Sequence, residues 1–499
     1  MLIWLIIVPV IAAALIGLAK APGKLTALAS ATFTLIMGLW AVISTTLNAD
    51  CVNCACWSSF AGHDLQFTLA LPLSRIMLLL AAIVTFAAIL GMKAPSKEAE
   101  RSWCVSALLL STGAIGAFIS DNIISFYAFH ELALIPTFVM IGFYGRGDRR
   151  TVSWTATVYL GLASMVLLAG LLLLCSQLGA WSFSDMHAVL TADQSIELPM
   201  GCLTAGLLLI GFGTLVSLFP FHSWAAPAYA SAPTPIAMLH AGVLKKFGLY
   251  GLFTLAWVFG PACGNFFGCW NNLLLVLLLG NILWVGFVTM AQTRLDDMLG
   301  NSSVMHMGYI FLAFAAYVAM NGNNELAFNG AALLMLAHGL TIALLFLLNG
   351  QIESQTRTLE MDSMGGLANK LPGLGFIFGL AGFASIGLPL LANFAGEFSV
   401  FASCFQGCAF GDSYDCCTLN AISGWFGGIG PVQLATVFAL WGLVISAIYM
   451  LRAFRRIFEG EVKLAATRAT KLSFTDMCAS AFLAFFIVLF GIVPPFFFI

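Results

Sequence analysis

The sequence predicts an all-α polytopic membrane protein of about fourteen transmembrane helices. Three observations predict it. Sixty-one per cent of the 499 residues are hydrophobic and only 8% are charged, a balance that soluble domains do not show. Segments of roughly 18 to 25 apolar residues, the length a helix needs to cross a bilayer core, recur along the whole chain. Short polar loops separate them, and no stretch remains for a soluble domain, so residues 1–499 form a single membrane domain.

The expected spans are 2–19, 25–47, 70–93, 103–120, 121–144, 151–176, 200–223, 235–259, 272–292, 299–320, 327–350, 370–403, 430–452 and 474–497. The first has neither a basic leading region nor a small-residue cleavage site, so it reads as a permanent span. The seventh ends among Pro220, Pro227, Pro233 and Pro235, and the twelfth is interrupted by Gly387, Pro389, Asn393 and Gly396. Both therefore read as discontinuous helices, the kind that frees backbone groups for ion sites in proteins built from inverted repeats. Two inverted five-helix repeats are expected at 103–259 and 272–452, flanked by helices in 1–102 and 453–499. The plain alternative is a pair of ordinary proline kinks, which membrane helices tolerate.

Charge placement sets the topology. Lys20 and Lys24, Lys93, Lys97 and Arg101, Arg146, Arg149 and Arg150, Arg294, Arg357 and Lys370, and the run from Arg452 to Lys471 fall in alternate loops. Those loops are cytoplasmic by the positive-inside rule. The stretches 48–69, 177–199, 260–271 and 404–429 contain no lysine or arginine, so both termini are expected on the periplasmic side of a bacterial inner membrane. The exceptions are Arg75 near the outer end of the third span and Lys245 and Lys246 deep in the eighth. With a net charge of −2 and no basic stripe interleaved with aromatics, nothing points to nucleic acid.

Of the 22 acidic residues, two lie well inside spans: Glu131, in YAFHELALIPTFVMIGFYG, and Glu397, in LLANFAGEFSVF. An ionised carboxylate at mid-membrane is costly, so it is paired, turned inward or protonated, and it marks a candidate functional site; the bland reading is a structural ion pair. Adjacent helical residues point about 100° apart, so Lys245 and Lys246 are not expected to share a face: one lines a polar axis while the other snorkels or meets a carbonyl. His306 and His338 lie within spans, His130 adjoins Glu131, and His222 and His240 flank the proline-rich break. Imidazole exchanges protons near neutral pH. Together with two acids and a lysine these histidines read as a proton path; their spacing fits no metal motif.

HELALIPTFVMIGFYG, FPFHSWAAPAYASAPTPIAMLHAGVLKKFGLYG, NSSVMHMGYIFLAF, LMLAHGLTIALLFLLNGQ and LPLLANFAGEFSVF resemble, in order and spacing, the antiporter-like membrane subunits of respiratory complex I. The likeness covers roughly residues 70 to 460. It is nearest to subunit M of the bacterial NADH-quinone oxidoreductase, which is similar to mitochondrial subunit 4; a chain ending after its fourteenth span, without a long lateral helix, fits that type. The resemblance implies proton translocation coupled to NADH oxidation by quinone, with no cofactor bound by this chain and with NADH, flavin, iron–sulfur clusters and quinone held by partner subunits. The partners it implies are the other membrane subunits, especially neighbouring antiporter-like ones, and the lipid bilayer. Carried over by position, Glu131, Lys246, His306, His338 and Glu397 transfer protons; His130, His222, His240 and Lys245 are accessory groups read from the sequence itself, Lys245 standing where the family usually has leucine. One position departs from the pattern: nine residues before Trp224, where the family has a lysine, stands Leu215. Asp296 and Asp297 likewise replace the family's Lys-Arg before the tenth span.

The alternatives are a related subunit of a cation/proton antiporter or membrane-bound hydrogenase complex, and a non-pumping structural subunit. Cysteine adds an independent expectation. Of 13 cysteines, Cys51, Cys54, Cys56, Cys263, Cys269, Cys404, Cys408, Cys416 and Cys417 fall in the loops assigned to the outer side. Disulfides persist in that compartment, so at least one is expected within or between these loops.

Overall fold

The computed structural model describes residues 1–47, 55–60, 63–192, 198–406 and 429–494. Each expected span is helical there. The first six are α1 (Trp4–Gly17), α2 (Gly23–Leu47), α3 (Ser74–Leu90), α4 (Lys97–Ile119), α5 (Ile123–Tyr144) and α6 (Arg149–Leu178). A short α7 (Phe183–Ala192) follows. The seventh span is split into α8 (Gly201–Val216) and α9 (Ala225–Ser231). The eighth comprises α10 (Thr234–Leu239), a π-helical turn over His240–Leu244 and α11 (Lys246–Phe259). The ninth comprises α12 (Cys263–Leu279), a second π-helical segment over Gly280–Val285 and α13 (Gly286–Ala291). Then come α14 (Leu295–Ala319), α15 (Glu325–Thr356), the split twelfth span α16 (Pro372–Ile386) and α17 (Ala392–Ser403), α18 (Pro431–Ala439) with α19 (Trp441–Phe458), a single turn α20 (Leu464–Thr467) and α21 (Phe474–Ile492).

Among the described residues nine helical stretches are long and apolar enough to cross a membrane, and one of these, Thr234–Ala291, contains the eighth and ninth spans together. The four shorter apolar helices α1, α3, α8 and α16 complete the set of fourteen. The chain is a multi-pass membrane protein. Its core is built on α15, which is buried along its most apolar stretch and packs against α3, α10, α14, α17 and α21. Outer faces stay apolar: Trp154, Leu162, Met165, Trp284 and Phe485 are exposed, as surfaces against lipid require.

The basic loops meet at one end of the bundle. Lys93 pairs with Asp476 at the start of α21, Arg146 with Glu353 at 2.7 Å, Arg456 with Asp362 at 2.8 Å, and Lys463 Nζ donates to the Asp362 carbonyl. Arg294 lies 2.8 Å from Asp296 and 3.4 Å from Asp297. The two aspartates that depart from the family pattern thus serve as local partners of an arginine.

Two segments expected to be outer loops contain structure. β1 (Ala55–Phe60) pairs antiparallel with β2 (His63–Phe67), and the ladder continues through a bridge from Phe67 to Ser120. In α7, Phe183, Met186 and Leu190 are buried on one face, a spacing that fits an amphipathic helix too short to register as a span. Asp121, in the turn between α4 and α5, accepts hydrogen bonds from Ser184 N at 3.1 Å and Ser184 Oγ at 3.0 Å. Burial pushes its carboxyl above the usual range, and the Ser184 bonds oppose that shift.

Of the outer cysteines, Cys51, Cys54, Cys408, Cys416 and Cys417 lie outside the described residues, and Cys56 falls in β1. Among the described residues no disulfide is formed: Cys263 and Cys404 are buried free thiols, and Cys269 is an exposed one.

Candidate functional site: a buried line of lysine and histidine

The centre of the site is His338, midway along the enclosed α15. Its Nδ1 lies 3.1 Å from Lys246 Nζ, and Lys246 Nζ also donates to the Ala241 carbonyl at 2.7 Å. The π-turn makes this possible. In a π-turn the hydrogen bond spans five residues, here from Lys245 N–H to His240 O at 3.0 Å, and the wider loop changes the direction of the side chains that follow. Gly339 lets the turn come close: a Cβ there would sit 2.7 Å from the Gly242 carbonyl oxygen. Neither lysine snorkels, because both are fully buried. Lys245 points to the neighbouring helix, with Nζ 3.3 Å from Ser303 Oγ on α14 and 5.2 Å from the centre of the Tyr229 ring. The pair diverges as helix geometry requires, but the second lysine neither snorkels nor meets a carbonyl as expected: the carbonyl contact belongs to Lys246, and Lys245 meets a hydroxyl and a ring inside the protein.

His306 on α14 completes the line. Its ring centre is 5.5 Å from that of His338. Its Nδ1 is 2.8 Å from the Ser302 carbonyl and its Nε2 is 2.9 Å from the Ser385 carbonyl. Two carbonyls are both satisfied only when both ring nitrogens carry protons. Ser385 belongs to the last turn of α16, so His306 is anchored to the break that follows. There Gly387 adopts a left-handed φ of 81° as the C-cap of α16, a conformation that glycine takes without cost.

The second half-helix resumes at Ala392 and places Glu397 back against the break. A Cβ on Gly387 would fall 2.0 Å from Glu397 Oε2, so a side chain there would displace the carboxyl group from the break. Glu397 is 3% exposed, and its Oε1 has no hydrogen-bond partner among the described residues. Asn393 Oδ1, one turn earlier, accepts from Thr341 Oγ1 of α15 at 3.1 Å. Tyr449 OH is 2.7 Å from Ser302 Oγ and, with Tyr309, lies within electrostatic reach of Glu397.

The break in the first half is built differently. α8 ends at Ser217, whose φ is 70°. The side chain of Asn281, in the second π-helical segment, donates to the Ser217 carbonyl at 2.9 Å and to the Val304 carbonyl at 3.1 Å, and its Oδ1 accepts from Phe219 N at 2.6 Å. One amide thus satisfies the backbone freed on both sides of the break. Leu215 is buried in the last turn of α8. His222 stacks on Phe219 at 5.4 Å. His240 is enclosed between Trp224 at 5.7 Å and Tyr229 at 5.2 Å. Nδ1 of each of these histidines lacks a hydrogen-bond partner among the described residues.

Glu131 stands apart from the line. It sits on the flank of the bundle with 36% of its side chain exposed, one helical turn before the exposed Ile135. Ser164 Oγ donates to it, Tyr127 OH lies 3.0 Å from Ser164 Oγ, and His130 Nδ1 is 3.6 Å from its Oε1. His130 itself is buried against Phe247, with ring centres 5.4 Å apart. Of the residues expected to act together, Lys246, His338 and His306 are contiguous, Glu397 lies at the break that His306 touches, and Glu131 with His130 forms a separate lateral cluster. Asn281, Ser303 and Tyr449 were not singled out from the sequence. Asn281 alone gave a signal, as an amide in the otherwise apolar LLLVLLLGNILWV.

Comparison with known proteins supplies the family. The model for the NADH:quinone oxidoreductase/Mrp antiporter transmembrane family matches residues 120–410, which takes in every group of the buried line. A curated relative, NAD(P)H-quinone oxidoreductase chain 4 of Microcystis aeruginosa, is 32% identical over 390 residues, covering 78% of this chain and 65% of that protein. NADH-quinone oxidoreductase subunit M of Rickettsia prowazekii is 28% identical over 417 residues, covering 83% and 77%. The match thus spans about two thirds of the length of the cyanobacterial relative. In fold, a chain of respiratory complex I from Thermus thermophilus superposes with a TM-score of 0.83 at 24% identity, covering 100% of this chain and 96% of that one. A chain of the Mrp complex from Dietzia superposes with a TM-score of 0.78 at 18% identity, covering 98% and 94%. This chain belongs to the NADH:quinone oxidoreductase/Mrp antiporter transmembrane family.

Proposed function

We propose that the chain is a proton-translocating membrane subunit of an NADH:quinone oxidoreductase, of the subunit M or chain 4 type. The observation that carries this reading is the contiguous, fully buried line from Lys246 through His338 to His306, anchored at a helix break that holds Glu397. Lipid-exposed proteins do not keep three titratable groups in contact at mid-membrane without a use for them. Redox chemistry belongs to partner subunits, which would hold the NADH, flavin, iron–sulfur and quinone sites. Protons are taken up at the ionic end, which the positive-inside rule assigns to the cytoplasm of a bacterial cell, with both termini periplasmic. A cavity of about 430 Å³ at that end is lined by Lys93, Arg146, Thr234, Glu353 and Asp476. Thr234 begins α10, so the cavity opens onto the span that carries both lysines. From Lys246 the proton passes by His338 and His306 toward Glu397.

Glu131 has a different part. An acid a third exposed on an apolar flank is expensive against lipid, so a neighbouring membrane subunit is expected to cover it. A change in charge across that contact alters the proton affinity of the groups inside, which drives the cycle without covalent chemistry. The two broken spans take matching places in inverted repeats at 103–259 and 272–452. The test is the double variant Glu131→Gln/Glu397→Gln in the assembled complex. Loss of proton uptake with NADH oxidation retained supports the reading; full pumping would make the chain a structural subunit.

A further inference from the structure

Cys202 and Cys269 come together at the end of the bundle opposite the ionic one. Their Sγ atoms are 2.7 Å apart, against about 2.05 Å for a sulfur–sulfur bond. The surrounding contacts fix the register of the two helices. Trp270, the next residue of α12, donates from Nε1 to the Cys202 carbonyl at 2.7 Å. Its ring also lies against Gly206, where a Cβ would fall 2.8 Å from the indole. Cys202 sits in the first turn of α8 and Cys269 in the second turn of α12, and both thiols are exposed. The stretch 177–199, which precedes Cys202, and 260–271, which contains Cys269, are free of lysine and arginine.

We propose that Cys202 and Cys269 form a disulfide that staples α8 to α12. Assigning this end to the oxidising side rests on the orientation proposed above. The chemistry is thiol–disulfide exchange. The thiolate of one cysteine attacks a disulfide carried by an oxidised dithiol oxidoreductase, which gives a mixed disulfide and releases one oxidant thiolate. The second cysteine's thiolate then attacks its partner's sulfur and expels the other oxidant thiolate. In total two protons leave the pair, and two electrons reduce the oxidant to its dithiol.

The consequence lies along the helices. α8 is held a second time where Asn281, in the π-helical segment that continues α12, grips Ser217 and Phe219 at the break. With the staple at one end and the amide at the other, the first half-helix cannot slide along α12. A disulfide there would make the first broken span a fixed element of the fold, and its 67-residue separation in sequence is the kind of long closure that gains most from a cross-link.

The test is mass spectrometry of the complex extracted from cells after blocking free thiols without reduction. A linked peptide pair containing Cys202 and Cys269, lost on reduction, is the expected result, and Cys202→Ser should leave Cys269 alkylated without reduction. A membrane-impermeant maleimide applied to intact cells separates the two ways of failing. If both residues are labelled from outside without reduction, the disulfide is overturned and the orientation stands. If both are labelled without reduction only in inside-out vesicles, the orientation has failed and the disulfide with it.

Discussion

Where α8 breaks, at Ser217, the freed backbone is met by the neutral amide of Asn281, and the nearby position that the resemblance gives to a lysine is Leu215. Where α16 gives way to α17, at Gly387, the last turn is met by the ring of His306, and a carboxylic side chain folds back against the glycine. The two halves use the same device, a helix interrupted in mid-membrane. They differ in what fills it. An amide can donate and accept at once but cannot change its charge, so the backbone freed at the first break is met by a neutral group. The second is lined by an imidazole and a carboxyl group, side chains whose chemistry allows a proton to be gained or lost. Discontinuity alone therefore does not make an ion site; the side chain at the break decides whether it is a joint or a relay.

The substitution with the largest expected effect would force the first break to resemble a charged one. Leu215→Lys places an ammonium group in a buried apolar turn while Glu131 is held on the flank by Ser164, and an unpaired buried charge costs several kcal/mol, of order 3–5. The expected outcome is little assembled complex in a native gel. A normal amount would mean that the site accepts a cation and that the halves are more alike than their side chains imply. Next comes Lys246→Ala, which removes the group in contact with His338. It should nearly abolish proton translocation, measured by dye quenching in inside-out vesicles. Lys245→Ala, which removes only contacts to Ser303 and the Tyr229 ring, should do less damage. Equal losses would shift the relay to include Lys245 and weaken the contrast between α14 and α15.

Asn281→Ala tests the joint. It leaves the Ser217 carbonyl and the Phe219 amide unpaired, at about 1–3 kcal/mol for each buried group. The thermal midpoint of the complex should fall while the translocation that remains is still coupled to NADH oxidation; unchanged stability would show that water or another group serves the break. The smallest effect is expected for Glu131→Gln, which keeps size and hydrogen bonding but removes the charge. Translocation should weaken without loss of assembly, because this acid lies outside the buried line. An unaltered proton-to-electron ratio would remove Glu131 from the mechanism.

The spans were legible because hydrophobic length is a direct consequence of bilayer thickness, and the breaks because proline and glycine cannot hide in a helix. Glu397, Lys246, His306 and His338 stood out as costly groups in apolar runs. Their contacts did not. A 3.6-residue period says nothing about a π-turn, so the shared burial of Lys245 and Lys246 could not be read before the His240–Leu244 segment was seen. The helix carrying Glu131 is apolar all round, and such a helix does not declare which face meets lipid; its 36% exposure came only from the packing. Asn281 was a single amide in a leucine run, and its use depends on α8, more than sixty residues earlier, as does the meeting of Cys269 with Cys202. α7 escaped because its buried face spans only Phe183 to Leu190.

If protons pass through the broken helix of α16 and α17, Glu397→Gln interrupts their path. The variant keeps the shape against Gly387 but cannot take up or release a proton. In inside-out vesicles, with NADH oxidation and proton uptake recorded together, electron transfer is expected at a rate restored by uncoupler, with a clearly lowered ratio of protons to electrons. A ratio equal to that of the unaltered complex would contradict that path.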